Sequence, residues 1–268
     1  MTSATATSQR GERAEPGVRG LPRAGTVLAI TARPGPESTA LGGLLFAFGQ
    51  AGARTTVLSL TRGEASPFNS TSSRLEAVRP WELQLASWLL GVSSVAVSDF
   101  PDGRLSNCPM PHLTERVRRA ITEHAPDLIL VLDPAAGNSD DAQVAQAVSL
   151  VAGTVGVPVA ARTTPGASHG WAVELGAETD VARAVQQAAA RAHASQSEML
   201  PEELRRLDGH SGREQLRWLV PAAMHSYTSL SSSAMSVLSA PDEAGEVMKT
   251  AVFPWRAPRV LLTGLAAV

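Results

Sequence analysis

Side chains that can exchange protons follow predicted strands at several points of this chain. Glu37 begins a helical segment after the first strand, and Asp140 and Asp141 precede another. His169 lies in a later loop that contains glycine and proline. Carboxylates and an imidazole gathered in a cleft near an arginine can act as acid and base without a metal. These four residues are the candidate catalytic residues, although Glu37 could serve only the helix start and a loop histidine is commonly just solvated.

The turn Arg33-Pro34-Gly35-Pro36-Glu37 stands where a ligand site is expected. It joins the apolar run 26–31, of strand length, to residues 37–50, whose apolar side chains recur at helical spacing. Ligands of open α/β sheets bind outside the carboxyl ends of strands and beside helix N-termini. Glycine and proline side chains cannot coordinate a metal, so the turn has the position of a ligand site but offers few side chains that could bind a metal.

Strands and helices alternate along most of the sequence. The predicted strands are 26–31, 55–60, 95–97, 128–132, 157–160 and 171–173. The predicted helices are 37–50, 73–90, 113–123, 142–152, 179–195, 201–207 and 212–220. This alternation predicts an α/β fold with a Rossmann-like, mainly parallel sheet that carries helices on both faces.

Composition changes at both ends of the chain suggest three regions. Residues 1–24 lack apolar periodicity and are predicted to be a flexible tail. Residues 25–225 carry the α/β domain. Residues 226–268 begin with a serine-rich stretch, become apolar, and are expected to form a C-terminal extension that packs on the domain.

The overall composition excludes several classes of function. The 268 residues are 44% hydrophobic with a formal net charge of −2, which gives no electrostatic footprint for nucleic acid or an acidic membrane surface. The single cysteine excludes an intrachain disulfide and a thiolate zinc cluster. There is no apolar stretch long enough to span a bilayer and no signal-peptide core, so a cytoplasmic protein is expected.

An ordered series of motifs resembles the PIG-L/LmbE-like de-N-acetylases, the family of GlcNAc-PI de-N-acetylases and of mycothiol-pathway deacetylases and amidases. Arg33 to Gly43 aligns without a gap with the family's His-Pro-Asp-Asp-Glu-x-x-x-x-Gly-Gly motif. The further matches, in family order, are residues 60–64, the Arg-x-x-Glu helix 74–83, Leu-Gly-Val at 89–92, Pro-Asp-Gly at 100–105, and His-x-Ser-Gln at 192–196. The resemblance covers about residues 26–220 and implies an LmbE-like fold.

The resemblance also implies a zinc site, and this chain departs from it at nearly every position. In the family the first motif supplies a zinc-binding histidine, an aspartate base and an aspartate ligand; these positions hold Arg33, Gly35 and Pro36 here. A later His-Pro-Asp-His motif supplies an oxyanion-stabilising histidine and a third ligand; these positions hold Asn138 and Asp141. A fixed cation would repel zinc, so no metal and no cofactor are expected.

An ion pair is expected in place of the metal. Arg33 is predicted to pair bidentately with Asp140 or Asp141. The family pattern also makes Arg33, Arg79, Asp102 and Asn138 the candidate substrate-binding residues. Arg79 could instead form a structural ion pair, and Asp102 could simply form a turn.

The leading hypothesis is a family member without the zinc-dependent site that binds a glycosylated or amide-bearing metabolite, or acts on it without hydrolysis, in specialised metabolism. One alternative is an active enzyme with a rebuilt acid–base site at Glu37, Asp140, Asp141 and His169. Others are a zinc deacetylase with displaced ligands and a scaffold partner of an active enzyme. The expected partners are a small molecule, another pathway protein or a second copy of the chain.

Overall fold

A computed structural model describes residues 18–67, 74–163, 170–175, 179–196, 205, 207 and 213–222. All of them belong to the first of the two units into which the chain divides, Met1–His225. His169, most of the predicted helix 201–207 and the predicted extension 226–268 lie outside the described residues.

The described strands form one eight-stranded sheet in the order β1-β7-β8-β6-β5-β2-β3-β4. The strands are β1 (Val18–Arg19), β2 (Thr26–Thr31), β3 (Arg54–Thr61), β4 (Ser94–Phe100), β5 (Leu128–Leu132), β6 (Val159–Arg162), β7 (Trp171–Glu174) and β8 (Arg213–Val220). Within this sheet only β8 runs antiparallel to its neighbours, β6 and β7. The predicted α/β class with a mainly parallel sheet is confirmed.

Helices cover both faces of the sheet. They are α1 (Pro36–Thr39), α2 (Gly42–Gln50), α3 (Leu75–Leu89), α4 (Met110–His124), α5 (Ser139–Val155) and α6 (Thr179–Arg191). One core cluster joins α2, α3 and α6 to strand residues such as Val27 and Ala29, and the other joins α4 and α5 to Leu28 and Ile30. Successive β2 side chains therefore point to opposite cores, as expected for a strand buried on both faces.

Two sequence predictions are wrong about secondary structure. Of the residues 212–220 predicted as helix, 213–220 form β8, in which Glu214 and Leu216 are buried while Arg213 is exposed, an alternation typical of a strand. Its neighbours on both sides supply backbone hydrogen-bond partners that local helical spacing cannot reveal. Val18–Arg19, inside the predicted tail, form β1 and pair with β7.

The predicted helix 37–50 is broken into α1 and α2, and the break brings a glycine pair against α6. A Cβ atom at Gly42 would lie 2.9 Å from Cγ of Gln186, and one at Gly43 would lie 2.9 Å from Cδ1 of Leu175. Gly42 therefore allows α6 to approach the first motif closely, and Gly43 allows Leu175, which follows β7, to do so.

None of the described helices is long and apolar enough to cross a membrane.

A buried ionic network connects β8 to the first motif. Both oxygens of Glu214, which is 1% exposed, accept hydrogen bonds at 3.1 Å, one from Arg162 on β6 and one from Arg183 on α6. Arg183 also donates to Gln186, whose amide donates to the carbonyl of Ser38. The network fixes α6 against both the sheet and α1.

Replacing Glu214 with glutamine should destabilise the protein by about 3 kcal/mol, because two largely buried arginines lose their carboxylate partner. Urea denaturation followed by circular dichroism measures the loss. Glu174→Gln is the matched control, since Glu174 pairs with Arg213 at the surface of the neighbouring strands, and it should cost less than about 1 kcal/mol. Equal losses in the two variants would contradict the network's role.

Candidate functional site

A pocket of about 430 Å³ opens at the carboxyl ends of the central strands. Its walls include the turn after β2 and the start of α5, which follows β5. The chain passes from β2 outward to β3 and β4, then returns to β5 on the other side of β2. This point of reversal is where doubly wound sheets bind their ligands.

Arg33 reaches across the pocket toward α5. Its Nη1 lies 3.9 Å from Oδ1 of Asp141, which is an ion pair but too long for a hydrogen bond. Of the two predicted partners, Asp141 is therefore the one that pairs, and the predicted bidentate geometry is not formed. Asp140 lines the pocket instead, with Oδ1 accepting from the backbone nitrogen of Leu105 and Oδ2 buried without a partner.

The first turn of α5 concentrates negative charge beside Arg33. The side chain of Asn138 caps the helix by accepting from the backbone nitrogens of Asp140 and Asp141, each at 3.0 Å. Burial raises the pKa of Asp141; Arg33 opposes this, and the charges of Asp140 and Asp102 add to it. Asn138 lines the pocket, but its side-chain oxygen is already committed to the cap.

Gly35 occupies a backbone conformation that the family's aspartate would not readily adopt. Its φ of 121° is strongly disfavoured for residues with a side chain. A Cβ atom there would have room, since its nearest neighbour would be Nη2 of Arg79 at 3.9 Å. The backbone of this turn is therefore one that favours glycine at position 35.

Arg79 joins two loops of the pocket wall. This 3% exposed side chain on α3 donates from Nη2 to the carbonyl of Pro34 at 2.6 Å and from Nη1 to the carbonyl of Gly63. Gly63 has a φ of 77°, and any side chain there would collide with the guanidinium. Burial lowers the pKa of Arg79, while nearby Asp102 opposes that shift. Within the described part of the chain Arg79 forms no ion pair, so the predicted structural ion pair is replaced by hydrogen bonds to carbonyls.

Asp102 fixes the loop after β3 while also lining the pocket. Its two carboxylate oxygens accept from Oγ1 of Thr61 at 3.1 Å and from the backbone nitrogen of Ala65 at 3.0 Å. Its own backbone nitrogen donates to Glu64. The side chain of Asp102 therefore binds the loop after β3, and among the described residues it makes no hydrogen bond within its own turn.

Glu37 and His193 form a buried pair behind the first motif. Oε1 of Glu37, which is fully buried, lies 2.6 Å from Nε2 of His193 and also accepts from the hydroxyl of Ser38; Oε2 accepts from the backbone nitrogen of Gly35. Burial alone would raise the pKa of Glu37, but His193 and these hydrogen bonds outweigh it and hold the pKa below its ordinary value. Glu37 thus supports the turn and also orients the histidine.

His193 lies in the His-x-Ser-Gln segment, for which the sequence predicted no role at the site. It lines the pocket, and its Nδ1 is buried without a partner. Two residues on, Ser195 donates from its backbone nitrogen and hydroxyl to the two oxygens of Glu82, each at 2.6 Å. Glu82, the acidic member of the Arg-x-x-Glu pair, therefore anchors the His-x-Ser-Gln segment. The presence of both motifs in the sequence was the signal that could have indicated a place for His193 at the site.

The structure brings most of the predicted site residues together. Those that line the pocket are Arg33, Arg79, Asp102, Asn138 and Asp140. Glu37 and Asp141 lie directly behind the wall, where they contact His193 and Arg33. His169 lies outside the described residues.

The zinc ion implied by the resemblance does not fit this arrangement. In the described part of the chain no three His, Cys, Asp or Glu side chains are grouped as metal ligands. The position of the first-motif histidine holds a guanidinium, a group that donates hydrogen bonds and cannot coordinate a cation. That guanidinium is ion-paired with Asp141, the remaining acidic candidate ligand.

Asp141→Asn should stabilise the protein at pH 7. The folded-state pKa of Asp141 is raised above its ordinary value of 3.8, so ionisation costs folding free energy once the pH exceeds that value. The gain should therefore shrink as the pH falls and vanish below about pH 3.8. Urea denaturation at several pH values measures it.

Asp133→Asn is the matched substitution with the opposite expected sign. Two hydrogen bonds from Arg217 hold the pKa of Asp133 below its ordinary value against the effect of burial, and Ala135 adds a third. The variant should lose about 2 kcal/mol at pH 7, and this loss should disappear as the pH falls through the lowered pKa. If both variants change stability in the same direction at pH 7, this account of Asp141 is wrong.

The chain is similar to proteins of known family and structure. Residues 28–152 match the family described as PIG-L, GlcNAc-PI de-N-acetylase. That range contains the first motif, Arg79, Asp102 and the start of α5. No curated protein matches the sequence.

Solved structures share the fold at low sequence identity. The N,N′-diacetylchitobiose deacetylase from Pyrococcus horikoshii is 18% identical, with a TM-score of 0.60 over 74% of this chain and 84% of its own. A conserved protein from Thermus thermophilus is 21% identical, with a TM-score of 0.58 over 76% and 98%. GalB, the 4-carboxy-2-hydroxymuconate hydratase from Pseudomonas putida, is 16% identical, with a TM-score of 0.57 over 73% and 96%. The family match over residues 28–152, the ordered motifs and the shared fold support the resemblance to the PIG-L family.

Proposed function

We propose that this chain is a zinc-independent member of its family that binds a small sugar- or amide-bearing metabolite and does not hydrolyse it by the zinc mechanism. The observation that carries the proposal is the ion pair between Arg33 and Asp141, two residues that align with zinc ligands of the family. An arginine at that position replaces a Lewis acid with a fixed cation that binds anions and carbonyl oxygens.

The pocket that remains is suited to a small polar ligand. Its volume of about 430 Å³ lies in the usual range for small-molecule sites. Arg33 is one-third exposed there, so its guanidinium can contact a ligand. Asp140 also lines the pocket. The exposed guanidinium of Arg33 favours a ligand that carries an anionic group.

The fold does not restrict the chain to deacetylation. Among proteins that share it, one is a deacetylase and another a hydratase. Because one fold can carry unrelated reactions, the assignment must come from the site.

Two sugar amides that differ by one carboxylate test the proposal. N-acetylmuramic acid carries a lactyl carboxylate that N-acetylglucosamine lacks, and we expect the acid to bind more tightly because it can pair with Arg33. Arg33→Gln should weaken binding of the acid by about tenfold, measured by isothermal titration calorimetry. Arg54→Gln is the control, since Arg54 begins β3 at the opposite end of that strand and contacts the carbonyl of His124.

Acetate release is measured on the same mixtures. The proposal expects binding without acetate release. Chelator-sensitive release of acetate from either sugar would contradict it. The proposal would also be contradicted if the wild-type protein bound both sugars with equal affinity and Arg33→Gln left both affinities unchanged.

A metal-independent acid–base enzyme is the second candidate, and the Glu37–His193 pair favours it. A carboxylate bound to one ring nitrogen orients a histidine and selects its tautomer. With Glu37 accepting from Nε2, the unpartnered Nδ1 keeps its lone pair. His193 could then accept a proton from a bound ligand, with Glu37 as the positioning residue.

Nitrogen NMR of histidine-labelled protein tests this tautomer. His193 should carry a proton on Nε2 and none on Nδ1; loss of its signals in His193→Gln assigns them. Glu37→Gln should shift the tautomer populations of His193, whereas Glu64→Gln should leave them unchanged, because Glu64 contacts the backbone of Asp102 instead. A proton found on Nδ1 in the wild type would exclude His193 as this base.

A further inference from the structure

The outer side of α3 carries an exposed apolar stripe. Val78, Trp81, Leu85 and Trp88 are 37%, 78%, 51% and 64% exposed. Their spacing of three, four and three residues places them on one side of the helix. We call these four residues the outer α3 face. Isolated exposed apolar residues need no explanation, but two tryptophans and two aliphatic residues in one row indicate an interaction surface.

The outer α3 face is also free of charge. From Ala77 to Trp88 the charged residues are Arg79 and Glu82, and both are buried toward the pocket. Gln84 is the exposed polar residue in this stretch. A solvated helix surface normally carries charged side chains, so this composition is typical of the centre of an interface.

We propose that two copies of the chain associate through their outer α3 faces, with the two helices antiparallel. The spacing of three, four and three residues is the same in both chain directions. The four residues of an antiparallel copy can therefore align with these four along the whole row. Val78 then lies opposite the partner's Trp88, and Trp81 lies opposite the partner's Leu85. Each large ring meets a smaller aliphatic side chain, and a two-fold axis relates the contacts.

The net charge of the chain and the area that two copies would bury are both consistent with such a dimer. The net charge of −2 produces little repulsion between copies, and antiparallel helices oppose their dipoles favourably. From the usual area of buried tryptophan and aliphatic side chains, the four residues would bury about 800 Å² over the two copies. That area falls within the range of weak complexes, so a dissociation constant in the micromolar range is expected.

The proposed dimer would involve the helix that supports the pocket. The inner side of α3 carries Arg79, which holds Pro34 and Gly63, and Glu82, which holds Ser195. The inference is independent of the proposed function, because it rests on the opposite side of the helix.

Sedimentation equilibrium of the full chain tests the dimer over about 1 to 100 μM. We expect reversible self-association that Trp81→Glu weakens at least tenfold, because the substitution places two carboxylates in the interface. Leu150→Glu is the matched control, since Leu150 is 52% exposed on α5, and it should associate like the wild type. Circular dichroism checks that each variant is folded.

A chain that remains monomeric throughout this range overturns the proposal, and the outer α3 face would then bind a different protein or another part of the same chain. A dimer that persists in a folded Trp81→Glu variant overturns it as well, because association would use another surface.

Discussion

The pocket depends on the buried guanidinium of Arg79. A buried cation is costly unless polar groups replace its hydration, and here the carbonyls of Pro34 and Gly63 do so. The two carbonyls belong to the turns that follow β2 and β3, so the interaction fixes the separation of these loops. Gly63 is required because any side chain at that position would occupy the space of the guanidinium.

Contacts between distant motifs complete the pocket wall. Glu82, one helical turn from Arg79, binds Ser195, and Glu37 binds His193 in the same segment. The end of α6 is therefore attached to both α3 and the first motif. This framework consists of carboxylates and a guanidinium that bind backbone groups, a serine hydroxyl and a histidine.

Sequence reasoning predicted the central sheet well because its buried strands are marked by apolar, β-branched runs such as Leu128 to Leu132. It failed at β8, whose residues become a strand only because β6 and β7 flank them. Of the site, it identified the loops that meet at the pocket and predicted a pair between Arg33 and either Asp140 or Asp141, of which Asp141 is the partner found. It did not assign His193 to the site, because the contact with Glu37 joins residues 156 positions apart in the chain. Local spacing carries no information about such a contact.

We propose that the Arg33–Asp141 ion pair stands in place of the zinc ion that the resemblance implies. Equilibrium zinc titration of chelator-treated, tag-free protein, in competition with a chromophoric chelator, measures whether the chain binds zinc. We expect no stoichiometric zinc binding at micromolar free zinc, and no gain of zinc affinity in Arg33→Gln, since the described side chains do not form a ligand set. One zinc ion bound per wild-type chain with submicromolar affinity, and lost in Asp141→Asn, would contradict it.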